Sequence, residues 1–405
     1  TSVNRLTPRR HHFYPNAVAV SLSTPMTSLK SRPSSQFSIY HPGFAVSHRM
    51  SSPVPEGLQR LVSLLLLLGG CWGEVRDGKY FQDLCFRLTG SGVSWPSEEV
   101  RDNFTTSGRF IPRNIVVTGF QGWRDQMFVI TPQFRPGIPF TLSKFDIFQR
   151  CFPELQPFPS WNLQGGDSFQ NLHNAMDLQV DHRDLLWVLD SGNINTLVHP
   201  TRVGPPKVLA FEALTGKVVH TIDLSLLTCD GSRLQTILVD YSRQTGTPWL
   251  YIADAAARTI IVYNVAESKG QRVVLPEVVC KDGPRDVLYM TLIKVFNRPE
   301  RVYFTYLSSK RMFSIKTVDL KYSSRNGTVM DEGTSPASLV LLGSVDENIF
   351  FRYKGKPEIL MWNINSTFKE KNFIPVDAGE EGRLATHVAL GYGGMLWVLE
   401  GNYQD

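Results

Sequence analysis

The chain lacks an HExxH pair, a nucleophile elbow, a phosphate-binding Gly-rich loop and paired His ligands, so the signatures of the common hydrolases and nucleotide-binding enzymes are missing. Its five later histidines, His173, His182, His199, His220 and His387, are scattered. Cysteine is scarce, with 5 in 405 residues and none in CxxC spacing, which argues against a zinc site; no metal and no cofactor is expected. Long apolar runs are also missing. The most apolar stretch, Leu61-Val-Ser-Leu-Leu-Leu-Leu-Leu68, is far short of the roughly 20 residues that a membrane span requires. Acidic residues are absent from residues 1–49, which carry six Lys or Arg and are rich in Ser, Pro and His. That segment accounts for the formal charge of +5, and residues 74–405 carry about −1. With no basic cluster on the part that can fold, nucleic acid is excluded as a partner.

What the chain does have is repetition. Six times a short apolar strand recurs: Gln126-Met-Phe-Val-Ile-Thr131, Leu186-Trp-Val-Leu-Asp190, Leu250-Tyr-Ile-Ala-Asp254, Val302-Tyr-Phe-Thr-Tyr306, Asn348-Ile-Phe-Phe-Arg352 and Leu396-Trp-Val-Leu-Glu400. The spacing of roughly 45 to 65 residues is that of propeller blades. Most copies lead through a turn into a second strand, over 140–147, 207–211, 259–264, 312–318 and 358–364, which leaves little room for helices. One signature strand per ~50 residues is what radial repetition needs and a large β-sandwich does not. The chain is therefore expected to be an all-β, six-bladed β-propeller over residues 74–405. Its sixth blade is expected to be incomplete at the C-terminus, as in a fragment, or patched by the segment between Tyr80 and Gly119.

Residues 50–73 have the build of a signal peptide: Met50 as a start, a short leading region to Arg60, the Leu-rich core, and the small residues Gly69 and Gly70. Residues 1–49 then read as a disordered basic segment outside the mature protein, the rival being a transit peptide or basic arm. A secreted, extracellular protein is expected. After Cys71, four cysteines remain as disulfide candidates, Cys85, Cys151, Cys229 and Cys280, with three possible pairings. The sequons at Asn103, Asn326 and Asn365 agree with secretion.

Several motifs carry a resemblance. Ser107-Gly-Arg-Phe-Ile-Pro112, Phe128-Val-Ile-Thr-Pro132, Gly137-Ile-Pro-Phe-Thr-Leu142, Leu155-Gln-Pro-Phe-Pro-Ser-Trp161, Leu186-Trp-Val-Leu-Asp-Ser-Gly192 and Met361-Trp-Asn363 are similar to those of the yellow and major royal jelly protein family of insects. Phe313-Ser-Ile-Lys-Thr317 and Phe351-Arg-Tyr-Lys-Gly355 resemble the eggshell-associated yellow-g branch. The resemblance implies a secreted six-bladed propeller. It also implies a non-enzymatic matrix role beside other eggshell (vitelline membrane and chorion) proteins; Tyr322, Tyr353, Tyr392 and Tyr403, near turns or chain ends, are the candidates for oxidative cross-linking there, their bland reading being ordinary exposed Tyr. The alternative it carries is binding of small aromatic amines, or dopachrome conversion by a tautomerase-like activity, through the propeller channel. Asp181-His-Arg-Asp184 and Met361 stand where relatives commonly have Cys, so the family's disulfide pattern does not transfer.

Candidate ligand-binding residues follow from both sources. The resemblance implies Thr334, Asn348 and Phe350, an aromatic face with a hydroxyl and an amide to fix polar ends; their bland reading is a core Phe and two turn residues. Asp177 and Asp240 lie about ten residues ahead of signature strands, where inner strands would line a channel. Asp190 and Asp254 end signature strands and are expected to hold turns by hydrogen bonds.

Overall fold

A computed structural model describes residues 17–23, 85–149, 152–279, 286–322 and 328–402. Each signature strand forms the second strand of a four-stranded antiparallel sheet. Five of these sheets are blades of consecutive chain, over 119–157 (blade 1), 175–223 (blade 2), 234–274 (blade 3), 288–334 (blade 4) and 339–377 (blade 5), giving an all-β, propeller-like fold. Inner strands of successive blades lie side by side, and Leu384–Leu390 touches the inner strands of both blade 5 and blade 1.

Signature strands were legible because a second strand is sandwiched between two neighbouring sheets, so residues facing either way must be apolar. In Leu185–Asp190, Leu186 and Val188 pack toward blade 1 with Phe128, Ile130 and Leu209, while Trp187 and Leu189 pack toward blade 3 with Ile237, Leu250 and Ile252. The same alternation joins Tyr251 and Val262 to Phe304 and Ile315, and Tyr303 to Ile349, Phe351 and Trp362. Each fully buried Leu, Val or Phe contributes about 1.5–3 kcal/mol. Inner strands are only half-buried, as the interior/partly exposed pattern of Ala175–Val180 records, because one side faces the axis.

The final sheet joins both ends of the described chain in the order Phe86–Thr89, Ala17–Ser23, Leu396–Gly401, Leu384–Leu390. Ala17–Ser23 reads Ala-Val-Ala-Val-Ser-Leu-Ser, the stretch of the basic segment with β-strand composition, and it pairs Ala19 with Glu400 and Val20 with Phe86. Trp397 and Leu399 of this sheet pack on Phe120, Met127 and Val129 of blade 1. On its other side Val388 and Val398 meet Leu342 and Phe350 of blade 5. At Gly343 the inner strand of blade 5 comes so close to Val388 that a Cβ would lie 2.1 Å from the Val388 carbonyl oxygen, and φ is +150°, so glycine is required there.

Among the described residues two α-helices, Glu98–Thr106 and Thr317–Tyr322, differ from a reading that left little room for helices. The first is started by Ser97, whose Oγ accepts from Val100 N, with Glu98 and Glu99 in its first turn.

Acids at strand ends act as expected. Asp190 accepts from the backbone N–H groups of His173, Asn174 and Gly192 at 2.7, 3.0 and 2.8 Å. Asp254 accepts from Ser232 Oγ, Arg233 N and Ala257 N at 2.5, 3.0 and 3.2 Å. In blade 4 the device is inverted, since Tyr306 ends the signature strand and Asp286, ahead of the inner strand, accepts from Ser308 N. Asp254→Ala leaves three donors without their acceptor and is expected to lower stability by about 2–4 kcal/mol in urea unfolding. A loss under about 0.5 kcal/mol would show that Asp254 does not hold the turn.

Candidate functional site: the axial channel

A cavity of about 1460 Å³ runs along the axis, walled by inner strands. An inner strand has a ladder partner on one side only, so N–H groups on its other edge need acceptors. Neighbouring blades supply them. Asp177 Oδ2 of blade 2 accepts from Ile237 N of blade 3 at 2.8 Å, and Gln179 Oε1 accepts from Val239 N at 2.7 Å. Gln235 Oε1 of blade 3 accepts from Leu288 N of blade 4 at 2.8 Å. Thr291 and Ser344 join blades 4 and 5 hydroxyl to hydroxyl at 2.5 Å, and His387 Nδ1 accepts from Phe120 N at 3.4 Å.

These partners determine the channel's electrostatics. Burial pushes the Asp177 carboxyl up to about 7, opposed by hydrogen bonds from Ile237 N and Leu178 N. Burial lowers His387 to about 4, so its imidazole is neutral and able to accept at Nδ1. Asp181, at one mouth, accepts from Arg183 N, Leu185 N, Trp187 Nε1 and the Tyr241 hydroxyl, which leaves it fully engaged. The Tyr241 phenol is raised by burial and by Asp181.

Of the sequence-predicted residues, Asp177 lines the channel. Asp240 lies on the adjoining inner strand but is buried away from the cavity. It is held by Lys294 at 2.6 Å, Lys321 at 2.7 Å and the Tyr251 hydroxyl at 3.0 Å. Burial would raise its carboxyl, but the two lysines outweigh this and keep it below the usual range. Thr334, Asn348 and Phe350 are not gathered at the channel. Thr334 ends the exposed outer strand Met330–Thr334, Asn348 accepts from Asn363 Nδ2 at 2.9 Å, and Phe350 is core between blade 5 and Leu384–Leu390. The reason is register: in Asn348–Tyr353 successive side chains point to neighbouring sheets, not along the axis.

Cys85 is half-buried with its thiol raised by burial, and Cys229 is exposed with Ser232 Oγ at 3.5 Å. Cys151, Cys280, Asn326, Tyr403 and residues 50–73 lie outside the described residues. Asn103, on the helix Glu98–Thr106, and Asn365 are exposed. Among the described residues no cluster of three or more His, Cys, Asp or Glu could hold a metal, and no helix is long and apolar enough to cross a membrane.

One polar cluster escaped the sequence reading. The fully buried Lys207 Nζ lies 2.9 Å from His173 Nδ1 and 3.3 Å from Asp190 Oδ2. Because an ammonium only donates, His173 accepts at Nδ1 and donates from Nε2 to Gly166 O at 2.9 Å. The pair anchors blade 2 to the loop before it, and a Lys opening an apolar strand was its only sequence signal.

Asp177 and His387 act oppositely on stability. Asp177 is raised on folding, so its contribution is present below about 4 and is lost as pH rises through about 7. His387 is lowered, so its contribution is present above about 6.5 and is lost as pH falls through about 4. Thermal melts from pH 4 to 8 are expected to show His387→Gln losing stability as pH rises to 7, and Asp177→Asn gaining it up to about 6.5. Identical profiles for both variants and wild type would refute the assignment.

A family model described as Major royal jelly protein matches residues 173–405. Protein yellow of Drosophila melanogaster is 26% identical over 290 residues, covering 65% of this chain and 52% of that protein, and Protein yellow of Drosophila yakuba gives the same figures. The chain thus spans about half the length of these curated relatives. Among solved structures, a luciferin-regenerating enzyme aligns with a TM-score of 0.42 at 9% identity, covering 72% of this chain and 92% of that one. With the family model spanning more than half of the chain, and with Protein yellow 26% identical over 290 residues, this propeller-like protein belongs to the yellow and major royal jelly protein family.

Proposed function

We propose that the protein is a secreted, non-enzymatic component of an extracellular matrix, the insect eggshell in keeping with its yellow-g-like motifs, where it contributes to assembly or hardening. In this reading residues 50–73 are a cleaved signal peptide, so Ala17–Ser23 leaves with them and the sixth blade keeps Phe86–Thr89, Leu396–Gly401 and Leu384–Leu390, and Asn103 and Asn365 carry glycans. The observation that carries it is the pair of exposed phenols on a rigid disc. Tyr322 is 71% exposed and Tyr392 46% exposed, the latter edge-on to exposed Phe148. Tyr353, also a sequence candidate, is only partly exposed; its hydroxyl is buried and has no hydrogen-bond partner among the described residues. Matrix cross-linking by an external oxidant, each phenol giving up one electron and one proton before the rings couple, would therefore select Tyr322 and Tyr392.

The channel favours a second reading, a small-molecule binder, since its volume exceeds the ~300–1,000 Å³ typical of ligand pockets. Biogenic amines and dopachrome are the classes the family resemblance suggests. The two readings separate by where the protein accumulates.

Peptide mass spectrometry of isolated eggshell beside ovary and epidermis extracts is expected to find the protein enriched in the shell. Cross-linked peptides should contain Tyr322 and Tyr392 but not Tyr353, with none from before about residue 74. Soluble protein absent from the shell would overturn the matrix reading. Peptides from residues 1–49 would show instead that Ala17–Ser23 is a retained strand.

A further inference from the structure

The interblade bonds do more than hold the ring, because they choose which atoms of the wall face the lumen. An amide side chain is symmetric in shape, and its oxygen and nitrogen can exchange places unless a neighbour distinguishes them. In Gln179 and Gln235 the neighbour is a backbone N–H, at 2.7 and 2.8 Å, which only an oxygen can satisfy. Each oxygen is therefore turned into the wall. Both residues line the cavity, and neither Nε2 has a partner among the described residues, so two NH₂ groups are presented to the lumen.

The carboxylates are oppositely disposed. Asp177 spends Oδ1 on Leu178 N and Oδ2 on Ile237 N. Asp181 is engaged by four donors, and Asp240, itself outside the cavity, is paired with Lys294 and Lys321. Arg202, Arg233, Arg352 and Lys294 also reach the lining, Lys294 held by Asp240 at 2.6 Å and Arg352 donating to Ala385 O at 2.6 Å; the remaining acids, Asp230 and Asp346, are exposed. Apolar wall is supplied between them by Met176, Leu238 and Leu292. An ammonium ligand would find no uncommitted carboxylate at mid-channel and would meet donors instead.

Resting on the small-molecule reading of the channel, we propose that its ligand is a compact organic molecule whose polar groups are hydrogen-bond acceptors, carboxylate or carbonyl oxygens, bound to the lumen-facing amide of Gln179; the amide of Gln235, four residues from Val239 along the inner strand of blade 3, lies about 13 Å further along the channel. Three probes that share a ring and a two-carbon or shorter tether test this on the full chain: phenethylamine, 2-phenylethanol and phenylacetate, titrated by ligand-observed NMR. Phenylacetate is expected to bind at least about tenfold more tightly than phenethylamine, the worth of about one charge-assisted hydrogen bond. Preference for phenethylamine would overturn the inference while leaving the channel a ligand site, and absence of binding by all three would overturn both.

A substitution that spares the fold sharpens the test. In Gln179→Glu one carboxylate oxygen can still accept from Val239 N, while the other replaces the lumen-facing donor with an acceptor. The variant is expected to melt within a few degrees of wild type and to lose the phenylacetate preference or reverse it. An unchanged preference in a folded Gln179→Glu protein would remove Gln179 from the site.

Discussion

The unpaired edge of the inner strands is the constraint on which the rest of this structure depends. Sheets arranged around an axis leave each innermost strand with backbone N–H groups that no ladder satisfies, and burying such a group unpaired costs about 1–3 kcal/mol. Here side chains from the adjoining blade answer it: Asp177 for Ile237, Gln179 for Val239, Gln235 for Leu288 and His387 for Phe120. Inner strands must therefore carry polar residues where an ordinary half-buried strand could carry any. The polarity of the channel is a by-product of closing the ring.

Away from the axis the balance shifts to apolar contact. Signature strands alternate their side chains between two neighbouring sheets, so every blade shares its core with the next, and Trp187, Trp362 and Trp397 are wholly buried between them. Where the inner strand of blade 5 meets Val388, Gly343 removes the side chain altogether. Strand-end acids then hold the loops that connect one layer to another, as Asp190 does with three backbone donors. Hydrophobic burial holds the blades together, and hydrogen bonds at the axis and the strand ends set their register.

Family membership and geometry bear on different questions. Among the motifs that carry the family resemblance are signature strands such as Leu185–Asp190, which are the parts that build blades. The cavity wall is built from inner strands instead.

The sequence by itself determined the repeat, the all-β class and the family, because a strand buried on both faces has to be continuously apolar and five such runs recur within complete blades. It also placed Asp177 at the axis from its distance to the next signature strand, and marked Asp190 and Asp254 as turn-holding acids. Only the tertiary structure decided that Phe350 and Asp240 leave the channel, that Gln179 and Gln235 enter it with their nitrogens facing the lumen, and that Lys207 pairs with His173 and Asp190. Those outcomes depend on which blade lies beside which and on a register within a strand. A slip of one residue sends a side chain to the opposite face, and such pairings are made between residues 17 to 81 positions apart, beyond the reach of any local pattern.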